Sequence, residues 1–223
     1  MATIFLDYDG TLHNSMYIYG PAFRKAYAWL VEQGYAQPRE FEESEISQWL
    51  GWTVEDMWTT FMPSLPEPVW REASHIIGEV MNEMIEHEQA ALFEGSKETL
   101  QTLKEDGYEL VFLSNCRNSY RDSHFKLFEL GELFDASYTA EAFDDIPKWQ
   151  IYQAVAKNHT LPHIMVGDRF HDIEVASKAG IASIGCAYGF NKPEELEQAT
   201  VCIDSIVDLP RAVSYVQAVC NLS

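Results

Sequence analysis

The sequence predicts an α/β fold, in which helices cover both faces of a parallel β-sheet and an all-helical segment is inserted after the first strand. Two observations support this prediction. Short apolar runs alternate with helical patterns along most of the chain, which is typical of βαβ units. Residues 14–91 break that alternation, because they show helical periodicity and no convincing strand. A chain of 223 residues, 47% of them hydrophobic, is long enough to bury a substantial core.

The first predicted strand is the apolar run at residues 4–6, which is followed by two carboxylates, Asp7 and Asp9. In an extended backbone these two side chains share one face, and Gly10 then allows the chain to turn away. Ligands of open parallel sheets bind beyond the carboxyl ends of the strands. Two acids placed there repel each other unless a cation or a catalytic role offsets the cost. A solvated acidic turn is the alternative at this point.

Four further strands and four helices are predicted in the rest of the core. The apolar runs that predict strands lie at residues 109–115, 163–168, 182–188 and 201–206. The helical patterns that alternate with them lie at residues 96–105, 118–130, 149–157 and 172–179. Gly107 and Gly180 follow two of these helical patterns and are typical helix stops.

The helical segment is predicted to be an inserted domain. It contains five of the six tryptophans, namely Trp29, Trp49, Trp52, Trp58 and Trp70. It begins directly after the first strand, and the strand–helix alternation resumes near residue 92. We therefore expect residues 1–13 and 92–223 to form an α/β core and residues 14–91 to form a helical cap.

The charge balance excludes several classes of partner. The chain has 35 acidic and 15 basic residues, for a net charge of −20. Nucleic acids and anionic membranes are bound through clustered Lys and Arg, so neither is expected as a main partner. No apolar run approaches membrane-spanning length, and the N-terminus lacks a signal-peptide pattern. Together with four cysteines that show no pairing pattern, this favours a cytoplasmic protein.

Further polar residues follow the later predicted strands. Ser114 and Asn115 end the second strand and lead into a helix, where hydroxyl, amide and backbone N–H groups can hold an anion. Asp168 and Asp172 are four residues apart at a strand-to-helix turn and can point to one place. Lys148 starts a helical pattern. Taken singly, Ser-Asn is common at helix starts, and a surface lysine is the ordinary interpretation of Lys148.

The order of these features is much more specific than any one of them. It resembles the haloacid dehalogenase-like hydrolase superfamily, in its phosphatase branch with a helical cap of the phosphoglycolate phosphatase type. The resemblance covers essentially the whole chain and implies a Rossmann-like core. The matching positions are Asp7-x-Asp9-Gly10-Thr11, then Ser114-Asn115, then Lys148, then Gly167-Asp168-x-x-x-Asp172.

The resemblance implies roles for the acidic residues. Asp7 would be the nucleophile that attacks phosphorus and forms an aspartyl-phosphate. Asp9 would protonate the leaving oxygen and then deprotonate the attacking water. A Mg²⁺ cofactor would take ligands from Asp7, the Asp9 backbone carbonyl and Asp168. Asp172 would hold metal-bound waters or orient Lys148.

The resemblance also implies a binding site for the phosphoryl group. Ser114, the Asn115 backbone and the catalytic Lys148 would bind its oxygens, and Thr11 belongs to the same group of phosphate-binding positions. Two residues are added from their place in the sequence. Arg117 is near enough to reach the phosphate but is equally typical of a surface helix. His13, close to the nucleophile, is a minor candidate for substrate contact.

The expected activity is Mg²⁺-dependent hydrolysis of a small phosphorylated metabolite by a monomer or homodimer. Asp9 argues against carbon–halogen cleavage, which has no leaving oxygen to protonate. A sugar-phosphate mutase stays open, although such mutases carry a His early in the first cap helix, where this chain has Tyr17 and Gly20. A catalytically silent ligand- or partner-binding member is the third alternative. Residues of the cap would determine substrate specificity, and Trp49 and Trp52 are the strongest candidates there for contact with the substrate.

Overall fold

The computed structural model describes residues 2–220, which form two compact units. One unit runs up to Asn14 and resumes at Leu92, and the other spans Ser15–Ala91. The first unit contains one parallel six-stranded sheet in the order β3-β2-β1-β4-β5-β6. Its strands are β1 Thr3–Leu6, β2 Glu109–Ser114, β3 Ala136–Thr139, β4 His163–Gly167, β5 Ala182–Cys186 and β6 Val201–Ile203. The predicted α/β class with a parallel sheet is confirmed.

The sheet buries both of its faces. Ile4 and Leu6 lie in one apolar cluster, and Phe5, between them, lies in the other. This division follows from the period of two along a strand, which sends successive side chains to opposite faces. Each of the three side chains is fully buried, a change worth roughly 1.5–3 kcal/mol per residue relative to exposure. Strand β1 is therefore a central strand with helices on both sides.

Five helices flank this sheet. They are α5 Ser96–Glu105, α6 Asn118–Phe128, α7 Lys148–Val155, α8 Phe170–Ala179 and α9 Leu209–Cys220. Helices α5 and α9 contribute to the cluster around Ile4, and α7 and α8 contribute to the cluster around Phe5. The first four agree with the predicted helices to within two residues at both ends. Gly180 ends α8, as predicted, and has the left-handed conformation. Helix α9 was not predicted from the sequence.

One strand of the sheet was also not predicted. Strand β3 has the sequence Ala-Ser-Tyr-Thr, and only Thr139 in it is buried. It pairs with β2 at the edge of the sheet, where one side needs no partner strand. A four-residue edge strand with polar side chains lacks the continuous apolar run that identifies a buried strand. The predicted strand at 201–206 is shorter than expected, because the chain turns after Ile203.

The second unit is helical, with α1 Met16–Glu32, α2 Glu43–Ser47, α3 Val54–Phe61 and α4 Glu67–Glu86. Its aromatic residues pack against each other. Phe61 contacts the rings of Phe23 and Trp58, and the Trp58 indole donates to Ser74 Oγ at 2.6 Å. Trp49 packs edge-on against Trp52 and also against Phe61. Among residues 2–220, no helix combines the length and apolar character that crossing a membrane requires.

Candidate active site

Three buried carboxylates meet at the carboxyl edge of the sheet. Strands β1 and β4 are neighbours in parallel register, with Leu6 beside Val166, so Asp7 and Asp168 follow the carboxyl ends of adjacent strands. The backbone N–H of Asp7 donates to the Val166 carbonyl at 2.9 Å. One oxygen each of Asp7, Asp168 and Asp172 lies within 4.8 Å of the others. The structure therefore brings together the acids that the sequence placed far apart.

Lys148 supplies a positive charge to this cluster. It is the first residue of α7, and its Nζ donates to Asp7 Oδ1 at 2.8 Å and to Asp172 Oδ1 at 2.7 Å. Its side chain is only 3% exposed. The neighbouring carboxylates raise the pKa of Lys148 against the opposing effect of burial, so the group stays an ammonium. Lys148 is therefore a buried member of the site and not a surface lysine.

Asp172 and Asp168 are held by backbone groups. The Arg169 N–H donates to Asp172 Oδ2 at 3.0 Å, and the Phe190 N–H donates to Asp168 Oδ2 at 2.6 Å. Asp168 Oδ1 is buried and has no hydrogen-bond partner within residues 2–220. The carboxyl group is enclosed so tightly that a Cβ at Gly10, whose φ is +81°, would clash with it. The Asp168 oxygen that lacks a donor is thus held in a fixed position.

The cluster has too little positive charge for its acids. Burial, followed by repulsion from Asp172, raises the pKa of Asp7 to about 7, although Lys148 opposes this. Burial and the charges of Asp7 and Asp172 raise the pKa of Asp168 well above its usual range. A divalent cation would remove this imbalance, and carboxylate oxygens are the ligands that Mg²⁺ prefers. The donor set and the unsatisfied Asp168 oxygen therefore fit a Mg²⁺ ion.

Asp9 is held by a different set of groups. Its Oδ1 accepts a hydrogen bond from the Tyr120 hydroxyl at 2.8 Å and lies 3.1 Å from His13 Nδ1. Its carboxylate is not a member of the three-acid cluster, so a share in metal binding through its backbone carbonyl stays a prediction. His13 is fully buried and contacts Asp9, and its contact with substrate stays a prediction.

Three of the predicted phosphate-binding residues lie at or just after the carboxyl ends of β1 and β2. Ser114 ends β2, is nearly fully buried, and leads with Asn115 into the loop before α6. Thr11 is fully buried; its carbonyl accepts from the Tyr188 hydroxyl at 2.7 Å, and its Oγ1 has no hydrogen-bond partner in the described part of the chain. Ser114 therefore lies at the carboxyl end of β2, and Thr11 lies in the loop that follows β1.

Arg117 is placed differently. Its side chain is 70% exposed, and NH1 contacts Glu141 Oε1 at 3.3 Å. It occupies the position just before the first residue of α6. This is the surface position that the sequence allowed as the alternative, and water screens such a pair strongly. Contact between Arg117 and a phosphate stays a prediction.

Sequence reasoning missed Tyr120 and Tyr188 as residues of the site. Both hydroxyls bond to the loop after β1, at Asp9 and at the Thr11 carbonyl respectively. No motif marks either tyrosine, because each contact crosses more than 100 residues of sequence. Helical spacing could have placed Tyr120 near the start of α6, but not against Asp9.

Replacement of Lys148 is expected to reveal the charge imbalance as a loss of stability. In chelated buffer at neutral pH, Lys148→Met should reduce the free energy of unfolding by about 3–5 kcal/mol, because it leaves buried acids without their ammonium partner. The matched control is Lys97→Met, which breaks an exposed pair to Glu129 of similar length, 2.7 Å, and should change stability much less. Urea titration of both variants measures the difference, and equal losses would contradict the buried-charge argument.

Comparison with known proteins agrees with this geometry. A family model described as haloacid dehalogenase-like hydrolase matches residues 4–186. The phosphoglycolate phosphatase of Mannheimia succiniciproducens is 32% identical over 104 residues, or 45% of this chain and 46% of that protein. The chain thus spans about half the length of that relative. Pyrophosphatase PpaX of Bacillus pumilus is 25% identical over 205 residues, or 87% of each chain.

Solved structures show the same fold. The crystal structure of a predicted phosphatase from Clostridium acetobutylicum superposes with a TM-score of 0.81 at 21% identity, covering 96% of this chain and 98% of that one. The resemblance inferred from the order of the motifs is confirmed by the family match. Because that match covers most of the chain, the protein belongs to the haloacid dehalogenase-like hydrolases.

Proposed function

We propose that this protein is a Mg²⁺-dependent phosphatase that hydrolyses a small phosphorylated metabolite through an aspartyl-phosphate on Asp7. The observation that carries the proposal is the placement of Asp7. Its carboxylate is buried at the carboxyl edge of the sheet, bonded to Lys148 and close to two further acids. A second carboxylate, Asp9, follows two residues later. This combination supplies a nucleophile and a proton donor in one loop.

In the first proposed step, an Asp7 carboxylate oxygen attacks the phosphorus atom of the ester. The bond from phosphorus to the leaving oxygen breaks, and Asp9 transfers its proton to that oxygen, which leaves as an alcohol. Proton transfer of this kind typically contributes about 10²–10⁴-fold to the rate. Asp9 is suited to it because 20% of its side chain is exposed, in contrast to the almost fully buried Asp7.

In the second step, Asp9 removes a proton from a water molecule, and the water oxygen attacks phosphorus. The bond between phosphorus and Asp7 then breaks, which restores the Asp7 carboxylate and releases inorganic phosphate. Asp9 ends the cycle protonated and ready for the next ester. Each residue is therefore returned to its starting state without an external reductant, oxidant or second substrate.

The remaining residues bind and orient. Asp7, Asp168 and Asp172, with the Asp9 carbonyl, would hold Mg²⁺. When bound, the ion supplies positive charge that reduces the repulsion between the nucleophile and the phosphoryl oxygens. Lys148 would bind a phosphoryl oxygen while it keeps Asp7 in place.

Hydroxyl and backbone groups complete the proposed phosphate site. Ser114, Asn115 and Thr11 would donate to the other phosphoryl oxygens. The Thr11 hydroxyl has no partner elsewhere in the described chain, which supports this assignment. Neutral donors of this type can bind phosphate without clustered basic residues. This suits a chain whose net charge is −20.

The names of the relatives suggest the first substrates to try. One relative is a phosphoglycolate phosphatase and another is a pyrophosphatase, so phosphoglycolate and pyrophosphate represent a small carboxylate ester and a phosphoanhydride. Both are small anions, in agreement with a small phosphorylated metabolite as substrate.

A phosphate-release assay tests the proposal. Purified protein with Mg²⁺ is expected to release inorganic phosphate from p-nitrophenyl phosphate and from at least one member of a panel that includes phosphoglycolate, pyrophosphate, sugar phosphates and nucleotides. Absence of release across the panel would refute the phosphatase and favour a binding role. Conversion of a sugar phosphate to its isomer without free phosphate would identify a mutase instead.

A further inference from the structure

We propose that Tyr120 and His13 are positioning residues that hold the Asp9 carboxylate in the orientation needed for proton transfer. The inference rests on the proposed function, because it concerns the residue that would act as acid and base. Neither residue belongs to the motif that identified the family. All the groups involved lie in the α/β unit.

Asp9 Oδ1, the Tyr120 hydroxyl oxygen and His13 Nδ1 form a closed triangle. The Tyr120 hydroxyl donates to Asp9 Oδ1 at 2.8 Å, His13 Nδ1 lies 3.1 Å from the same oxygen, and the Tyr120 oxygen lies 3.2 Å from His13 Nδ1. The phenol hydroxyl of Tyr120 is the donor and the Asp9 carboxylate oxygen is the acceptor in this contact. Two contacts to Oδ1 restrict rotation of the carboxylate and favour proton transfer through Oδ2.

A second layer holds His13 in place. The Tyr8 ring stacks on the His13 ring, with centroids 5.3 Å apart and planes within 8° of parallel. The His124 ring meets His13 edge-on at 4.5 Å, and the Tyr8 hydroxyl bonds to His124 Nδ1 at 2.6 Å. Burial lowers the pKa of His124 to about 3, so it stays neutral and can accept that bond. His13 is therefore enclosed by aromatic rings on a face and on an edge.

The backbone fixes the two ends of this arrangement. Gly10 N donates to the His13 carbonyl, and His13 N donates to the Tyr8 carbonyl, both at 2.9 Å, which closes a tight loop around Asp9. Tyr120 comes from the first turn of α6, where Thr139 Oγ1 donates to Asn118 Oδ1 at 2.7 Å and ties the helix to β3. The triangle thus joins two separately anchored segments.

This arrangement has a chemical consequence that depends on the substrate. A poor leaving group, such as an alkoxide, needs a well-placed proton donor, whereas p-nitrophenolate leaves readily without one. Loss of the Tyr120 hydroxyl leaves Asp9 present but less well oriented. The phosphorylation step, which kcat/KM reports, should therefore slow for alkyl phosphates and change little for p-nitrophenyl phosphate.

The test compares Tyr120→Phe with wild type on p-nitrophenyl phosphate and on an alkyl phosphate ester from the panel. We expect kcat/KM for the alkyl ester to fall by about 10- to 100-fold, part of the 10²–10⁴-fold contribution of acid–base catalysis. The kcat/KM for p-nitrophenyl phosphate should stay within about twofold, because its leaving group departs without a proton and the later hydrolysis of the phosphoenzyme affects kcat but not kcat/KM. The matched control is Tyr152→Phe, which removes a buried Tyr–His bond of 2.8 Å that does not involve Asp9.

A second pair of variants tests His13. His13→Asn keeps a nitrogen near the position of Nδ1 and should retain most of the alkyl-ester activity, whereas His13→Leu should lose it selectively. Equal loss of kcat/KM on both substrates in Tyr120→Phe, or no loss of kcat/KM on either, would overturn the positioning role alone. Absence of turnover in wild type would refute the proposed function and this inference with it.

Discussion

Asp7→Asn is expected to abolish phosphate release while the protein stays folded. The amide has nearly the same shape as the carboxylate, and its oxygen can still accept from Lys148, but it cannot form the acyl-phosphate bond. Removing the nucleophile of a covalent hydrolase can cost on the order of 10⁶-fold in kcat. We expect a loss of at least about 10⁴-fold in steady-state phosphate release, since acid–base groups alone contribute about 10²–10⁴-fold.

The same variant should be at least as stable as wild type in the absence of metal. Burial raises the pKa of Asp7 to about 7, so above that pH the folded protein holds a carboxylate that the site disfavours. Asp7→Asn removes this charge, and its midpoint of thermal unfolding in chelated buffer at pH 8 should equal or exceed that of wild type. Loss of activity together with a lower midpoint would instead indicate a damaged fold.

Asp9→Asn is the matched variant for the covalent step. It retains the nucleophile but lacks the group that activates water, so the phosphoryl group should persist on Asp7. Mass spectrometry of acid-quenched protein after incubation with p-nitrophenyl phosphate should locate one phosphoryl group on the peptide containing Asp7. A phosphoryl group found on another residue would contradict the proposed nucleophile.

Removal of divalent cation is the second large effect that we expect. Excess EDTA should reduce phosphate release to background, and Mg²⁺ added beyond the chelator should restore it. The reason lies in the buried cluster of Asp7, Asp168 and Asp172, in which the Lys148 ammonium bonds to two of the three carboxylates. Without a cation, a phosphate anion would have to approach this negative charge. Full activity after chelation would contradict the proposed role of these acids.

A stability measurement tests the same site without an assay of activity. The pKa values of Asp7 and Asp168 are raised, so between about pH 4 and pH 7 the folded protein binds more protons than the unfolded chain. The stability of the metal-free protein should therefore fall as the pH rises through this window. Mg²⁺ needs ionised ligands, so its stabilising effect should be largest above pH 7 and vanish below about pH 4.

Asp168→Asn is the control for that measurement. Its amide oxygen can still accept from the Phe190 N–H, so the local fold should be kept, but one anionic ligand is lost. At a Mg²⁺ concentration 100 times the dissociation constant, wild type should gain about 2.7 kcal/mol. The variant should gain much less at the same concentration. Equal Mg²⁺ stabilisation of both proteins at pH 8 would place the ion elsewhere.

Local sequence patterns were sufficient for the central part of the fold. Residues 4–6 and the run at β4 are continuous apolar segments because a central parallel strand is buried on both faces. The same patterns failed for β3, whose only buried residue is Thr139, and for α9, for which no pattern was recognised. The edge position explains the failure for β3, since an edge strand needs little apolar surface. Helix α9 buries Leu209, Val213 and Val216 at helical spacing, so its pattern was present in the sequence and was overlooked.

The sequence by itself determined which acids belong to the candidate site. The order of the motifs selected Asp7, Asp168 and Asp172, and their positions after predicted parallel strands placed them at the carboxyl edge of the sheet. Only the tertiary structure decided what surrounds them. Lys148 contacts Asp7 across 141 residues of sequence, and Tyr120 contacts Asp9 across 111. Spacing in the sequence carries no information about such contacts, because they form only when separate helices pack on a common sheet.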